Sequence, residues 1–178
     1  MNRYKKIALF LIKFFGTYFL LFALYATYLN IYQSKDQGFT CAPITTEVAN
    51  HTVSVLRFLG YNVSSEQHIQ ELSIKLLVGN QYVARVIEGC NSISIIILFA
   101  AFVIGFSGPI RTTVIYLIVG SLLIYVINIL RIAFLTMMLY KYPHQQVVLH
   151  NIVFPLIIYG TTFLLWVIWV KKFSHVKK

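Results

Sequence analysis

Four apolar stretches divide this 178-residue chain, at about residues 7–30, 90–106, 112–140 and 147–170. A hydrocarbon core about 30 Å thick is crossed by about 20 helical residues. Inside it every backbone N–H and C=O must be paired within the protein, so each stretch is expected to be a helix. The second is short for a span and should begin near Glu88 or be tilted. Composition agrees: 58% of residues are hydrophobic and only 11% charged, with a mean hydropathy of +0.75, values outside the usual soluble range. Trp166 and Trp169, near the end of the fourth stretch, suit an interfacial aromatic belt. The expected fold is an all-α membrane protein, one integral domain over residues 1–178. It is a four-transmembrane-helix bundle carrying a small extracytoplasmic cap, made of a helix and a β-hairpin, on residues 31–89.

Charge sets the expected orientation. Arg3, Lys5 and Lys6 precede the first stretch, Arg111 sits in the tight turn between the second and third, and Lys171, Lys172, Lys177 and Lys178 follow the fourth. The positive-inside rule makes these ends cytoplasmic, which an even number of spans permits. All five acidic residues, Asp36, Glu47, Glu66, Glu71 and Glu88, lie in the 31–89 segment with only four basic ones, Lys35, Arg57, Lys75 and Arg85. The net charge of +10 therefore reports topology and contact with membrane lipids, not nucleic-acid binding. The first apolar run is longer than a signal-peptide core and lacks a small-x-small cleavage site, so it is expected to stay as a helix.

The 31–89 segment has its own order. From Ile44 to Leu59, the apolar Val48, Val55, Leu56 and Leu59 fall at helical spacings and stop at Gly60. Such an amphipathic helix would lie on the membrane or pack on the spans. His68 to Val78 and Gln81 to Ile87 flank Gly79-Asn80, a two-residue hairpin turn. The second arm delivers the chain to Glu88-Gly89-Cys90.

Three polar side chains in apolar stretches reach a common depth. Counted at 1.5 Å per residue from the basic or polar ends, Cys90, Arg131 and His150 lie roughly 24, 30 and 32 Å away, near the far boundary of the bilayer. Each has a bland reading: a cysteine as a small hydrophobe, an arginine snorkelling to headgroups, an interfacial histidine. Together they make a chemistry. A thiol at a helix N-terminus, after a glycine that permits close backbone approach, is favoured as thiolate and nucleophile. An arginine in a span supplies fixed donors for a thiolate or an oxyanion. A histidine carries protons near neutral pH. Asn128 shares the Arg131 face and can bond the guanidinium or a substrate. Pro155 leaves the Asn151 carbonyl without its helical donor beside His150. His144, in the polar 141–146 loop, competes for the proton-carrying role. No spacing among the histidines, Cys41 and Cys90 suggests a zinc site, and no cofactor is expected. Cys41 can be free or paired with Cys90.

Glu88-Gly89-Cys90-Asn91-Ser92-Ile93, then Asn128-Ile129-Leu130-Arg131, then His150 resembles the exosortase/archaeosortase family of membrane transpeptidases, and within it the short exosortase F group. The resemblance implies that Cys90, Arg131 and His150 are catalytic. It implies a bacterial cytoplasmic membrane, and as partners secreted proteins bearing a C-terminal motif, one transmembrane helix and a basic tail. Asn91-Ser92 stands where many members have Ser-Gly or Thr-Gly, and Asn151 where many have an acidic residue. The group orienting His150 is left between Glu88 and Asn151. Two other classes stay open: a membrane scaffold or anionic-lipid-binding subunit built on Arg131, and a thiol–disulfide exchanger built on Cys41 and Cys90.

Overall fold

The computed structural model describes residues 3–34, 38–106, 108–145 and 152–173. Helix α1, Arg3–Tyr32, runs antiparallel to α3, Ile93–Gly105. Phe10 packs on Phe102 and Phe106 at one end, while Tyr25 meets Asn91 at the other. Helices α4, Ile110–Lys141, and α5, Phe154–Lys172, complete the bundle. The Tyr116 hydroxyl donates to the Leu165 carbonyl at 2.7 Å, Trp166 stacks on Phe102, and buried Trp169 packs on Tyr116. A Cβ on Gly120 would collide with the Phe99 ring, so this glycine lets α3 and α4 approach closely. The aromatic layer lies at the end of the bundle where the Lys5–Lys6, Arg111 and Lys171–Lys172 positions fall.

Three helices reach spanning length, over Tyr4–Tyr32, Ile110–Lys141 and Pro155–Lys172. Their outward residues, such as Ile12, Leu20, Ile118, Leu122 and Phe163, are large, apolar and exposed, as lipid contact requires. α3 is shorter than its apolar stretch suggested. At 13 residues it extends about 20 Å, less than a hydrocarbon core, because residues 88–92 form a 3-10 turn and a left-handed residue before the helix can start.

α4 has the opposite property. Its 32 residues extend about 48 Å, well beyond the hydrocarbon thickness. The excess packs against the cap: Ile132 and Ala133 share a core with Val48, Val53, Leu56, Leu76 and Val86. The cap helix α2, Pro43–Phe58, buries Thr45, Val48, Ala49, Thr52, Val53 and Leu56 on one face, so it packs on α4 and the sheet. It ends as the sequence indicated. Gly60, at φ +89°, lets its own N–H bond Arg57 and the Tyr61 N–H bond Leu56, the paired bonds of a glycine-terminated helix.

The cap holds a three-stranded antiparallel sheet rather than a hairpin alone: β1 Val63–Gln67, β2 Ser73–Val78 and β3 Gln81–Ile87, in that spatial order. β1 reads Val-Ser-Ser-Glu-Gln and buries only Val63. Such an outer strand carries no alternating apolar signal. The first hairpin arm starts at Ser73, not His68, since 68–72 form a bend closed by the Gln70 N–H on His68. The turn itself is as expected, with Gly79 and Asn80 both at positive φ, 55° and 68°, the pattern that matches strand twist. A register shift opposite Leu76 and Leu77 leaves Val83 as an extra residue in β3.

Candidate active site

β3 leads directly into the turn Glu88–Cys90, and two asparagines fix that turn from opposite sides. Asn128, buried on α4, donates from Nδ2 to the Cys90 carbonyl at 2.7 Å. Asn91, also buried, accepts the Ile93 N–H on Oδ1 at 3.0 Å and so caps α3. Its Nδ2 faces the Tyr25 hydroxyl at 2.7 Å, Thr45 Oγ1 at 3.1 Å and Glu88 Oε2 at 3.2 Å. α1, α2 and α3 are thereby joined at one point beside Cys90. Ser92 follows at φ +67°, the left-handed region that glycine takes without cost.

Glu88 serves the same scaffold. Its carboxylate accepts the Ala42 N–H at 3.0 Å, the Thr45 hydroxyl, and the Asn91 amide. The Ala42 N–H belongs to the residue preceding α2, so Glu88 sits at the N-terminus of that helix. Glu88 is not among the residues lining the cavity described next.

That cavity, of about 640 Å³, opens where α3, α4, α5 and β3 meet. Cys90, Gly89 and Ser92 form one wall, Asn128, Arg131, Ile132 and Leu135 a second, and Pro155, Ile158 and Tyr159 a third. Cys90, Arg131 and Tyr159 thus face one space, with the Arg131 guanidinium in electrostatic range of the Cys90 side chain and of Tyr159. Arg131 also adjoins Ile132, which belongs to the core shared with the cap.

The structure thus brings Cys90, Arg131 and Asn128 together. Asn128 bonds the Cys90 backbone rather than the guanidinium. The close backbone approach expected at Gly89 is absent: a Cβ there would meet nothing within 4 Å, and the residue lines the cavity. His150 and Asn151 lie outside the described residues. His144 is exposed in the turn Pro143–Gln145 and is not a lining residue. His51 faces the Tyr125 hydroxyl at 2.8 Å between α2 and α4, also away from the lining. Both cysteines are free thiols. Cys41 is buried, with Gln67 Nε2 3.6 Å from its sulfur. Burial pushes its thiol above the usual pKa, opposed by the Gln67 contact and aided by Glu88. Among the described residues no group of three or more metal-binding side chains occurs.

Tyr159, Thr45 and the hub role of Asn91 are not evident from the sequence. Asn91 adjoins Cys90, and that adjacency was the available signal; Tyr159 and Thr45 carried none, since they approach the site only through the fold.

The model of the transmembrane exosortase family matches residues 7–169, nearly the whole chain. The chain belongs to that family. No curated protein matches it, and no solved structure does. The match embraces α1, the cap, the cavity and most of α5, so this exosortase-family membrane protein carries Cys90, Asn128 and Arg131 inside the family's own boundaries.

Proposed function

We propose that this protein is a membrane-embedded cysteine peptidase or transpeptidase that cleaves the C-terminal sorting signal of secreted proteins. The observation that carries the reading is that Cys90 and Arg131 line one cavity, with the guanidinium in electrostatic range of the thiol. Cys90 attacks the scissile carbonyl, and Arg131 stabilises first the thiolate and then the oxyanion. His150 gives its proton to the departing amine, the C–N bond breaks, and a Cys90 thioester remains. An acceptor, water or another nucleophile, then loses a proton to His150 as it displaces the sulfur. Asn128 is a positioning residue, since it holds the Cys90 backbone.

In this reading α3, extended by the turn before it, crosses the bilayer as a fourth, short span. Both termini are cytoplasmic, and the cap with its cavity lies outside the bacterial cytoplasmic membrane. The segregation of basic and acidic residues supports that orientation. The substrate's membrane helix would lie beside the bundle, so that only the segment outside the lipid enters the cavity.

The test is processing of a co-expressed substrate of this kind. Cys90→Ala and His150→Ala abolish it while membrane insertion is unchanged, because neither side chain is needed for a helix to span. Normal processing by Cys90→Ala contradicts the proposal.

A further inference from the structure

β3 is an outer strand whose free side faces the cavity. It pairs only with β2. Among the described residues, no backbone N–H or C=O of Tyr82–Val86 bonds to anything beyond that partner. Four consecutive residues, Tyr82, Val83, Ala84 and Arg85, line the cavity, and Ile87 follows. A strand viewed on one face shows alternate residues. By the register, Tyr82, Arg85 and Ile87 share one face, and Ala84 belongs to the other, so a lining that includes them all takes in the edge of the strand, where the unpaired backbone groups point. The extra residue Val83 falls in this run, and bulges re-aim strands beside functional sites.

We infer that this edge binds the segment to be cleaved as an added β-strand, in register with Cys90; the inference rests on the peptidase reading above. Unpaired strand backbone is matched by extended peptide, which supplies the complementary N–H and C=O groups. From Tyr82 to Ile87 the edge offers about 17 Å, and the chain reaches Cys90 three residues later. The opposite wall, Leu135 and Leu139 of α4 with Pro155 and Tyr159 of α5, is apolar or aromatic and suits the outward side chains of such a strand. The lining contains Arg85 and Arg131 and no carboxylate among the described residues. The added strand is therefore neutral or acidic, and its affinity comes chiefly from main-chain bonds rather than from one side-chain pocket.

The experiment uses the full chain in lipid nanodiscs and two unrelated neutral pentapeptides, each ending in a chloromethyl ketone. Cys90 alkylation is timed by mass spectrometry, with chloroacetamide as the control reagent. Each peptide is made with a single N-methyl group moved along its backbone. Added-strand binding predicts that both peptides alkylate Cys90 faster than chloroacetamide. It also predicts that N-methylation slows the reaction about fivefold to tenfold at alternate positions and little between them, because only every second N–H faces β3. Equal rates at every methyl position, or no acceleration by either peptide, overturn the edge-binding inference and leave a reactive Cys90 untouched. Failure of chloroacetamide to modify Cys90 faster than Cys41 overturns the peptidase reading itself, and the inference falls with it.

Discussion

Asn128 holds the Cys90 carbonyl at 2.7 Å, so a residue one helical turn before Arg131 fixes the backbone that carries the thiol facing Arg131. Thiol and cation are positioned by the same face of α4. Their relation therefore depends on a single helix keeping its rotation.

This arrangement makes Asn128 sensitive to an isosteric change. Asn128→Leu, close to asparagine in shape, cannot donate to the carbonyl and leaves a buried acceptor without its partner, a loss of about 1–3 kcal/mol. The expected outcome is a lower unfolding temperature in detergent together with slower alkylation of Cys90. Unchanged Cys90 reactivity would show that the anchor is not needed for positioning.

Arg131→Lys keeps the charge and loses the planar fork of donors. Processing should fall about 10²- to 10³-fold, the usual cost of a missing pre-organised donor. A protein that merely held an anionic headgroup would tolerate the lysine, since charge suffices there. Near wild-type processing by this variant removes the bidentate role assigned to the arginine.

The two thiols should separate by pH. Cys41 is buried and its pKa lies above the ordinary range, so at pH 7 its thiolate is scarce and labelling is slow. Its labelling should rise with pH beyond the range in which a free thiol ionises, about 8.5. Ionisation is easier in the unfolded chain, so burial of neutral Cys41 favours the fold below that pH, and the contribution declines as pH rises through the folded value. A membrane-impermeant maleimide should modify Cys90 first at neutral pH. A Cys41–Cys90 disulfide in the isolated protein would instead support thiol exchange, and inertness of Cys90 would support a scaffold.

Sidedness is open to a simple assay. Reporter fusions after Lys35 and after Lys178 should report opposite compartments, with the cap outside. The same compartment for both would undo the depth argument that first linked Cys90, Arg131 and His150.

Much of this was legible in the chain because membrane helices and their caps write strong local signals. The α4 boundaries, the Gly60 stop of α2 and the Gly79-Asn80 turn follow from hydropathy length and from positive φ. β1 was illegible since its Ser-Ser-Glu-Gln run buries almost nothing. The late start of α3 was hidden because Asn91 and Ser92 look like the polar mouth of a helix, whereas Asn91 folds back to cap it and Ser92 adopts a left-handed conformation. The role of Glu88 was hidden for another reason. Its partners Ala42 and Thr45 lie over forty residues away, and no local pattern encodes a contact of that separation.

The proposed chemistry passes through a covalent bond to Cys90. The most direct measurement is mass spectrometry of the protein purified from substrate-expressing cells, comparing wild type with His150→Ala, before and after neutral hydroxylamine. A substrate-derived acyl group is expected on the peptide containing Cys90, removed by hydroxylamine and absent from Cys90→Ala. Continued processing by the wild type with no such adduct, or intact processing by Cys90→Ala, would contradict that chemistry.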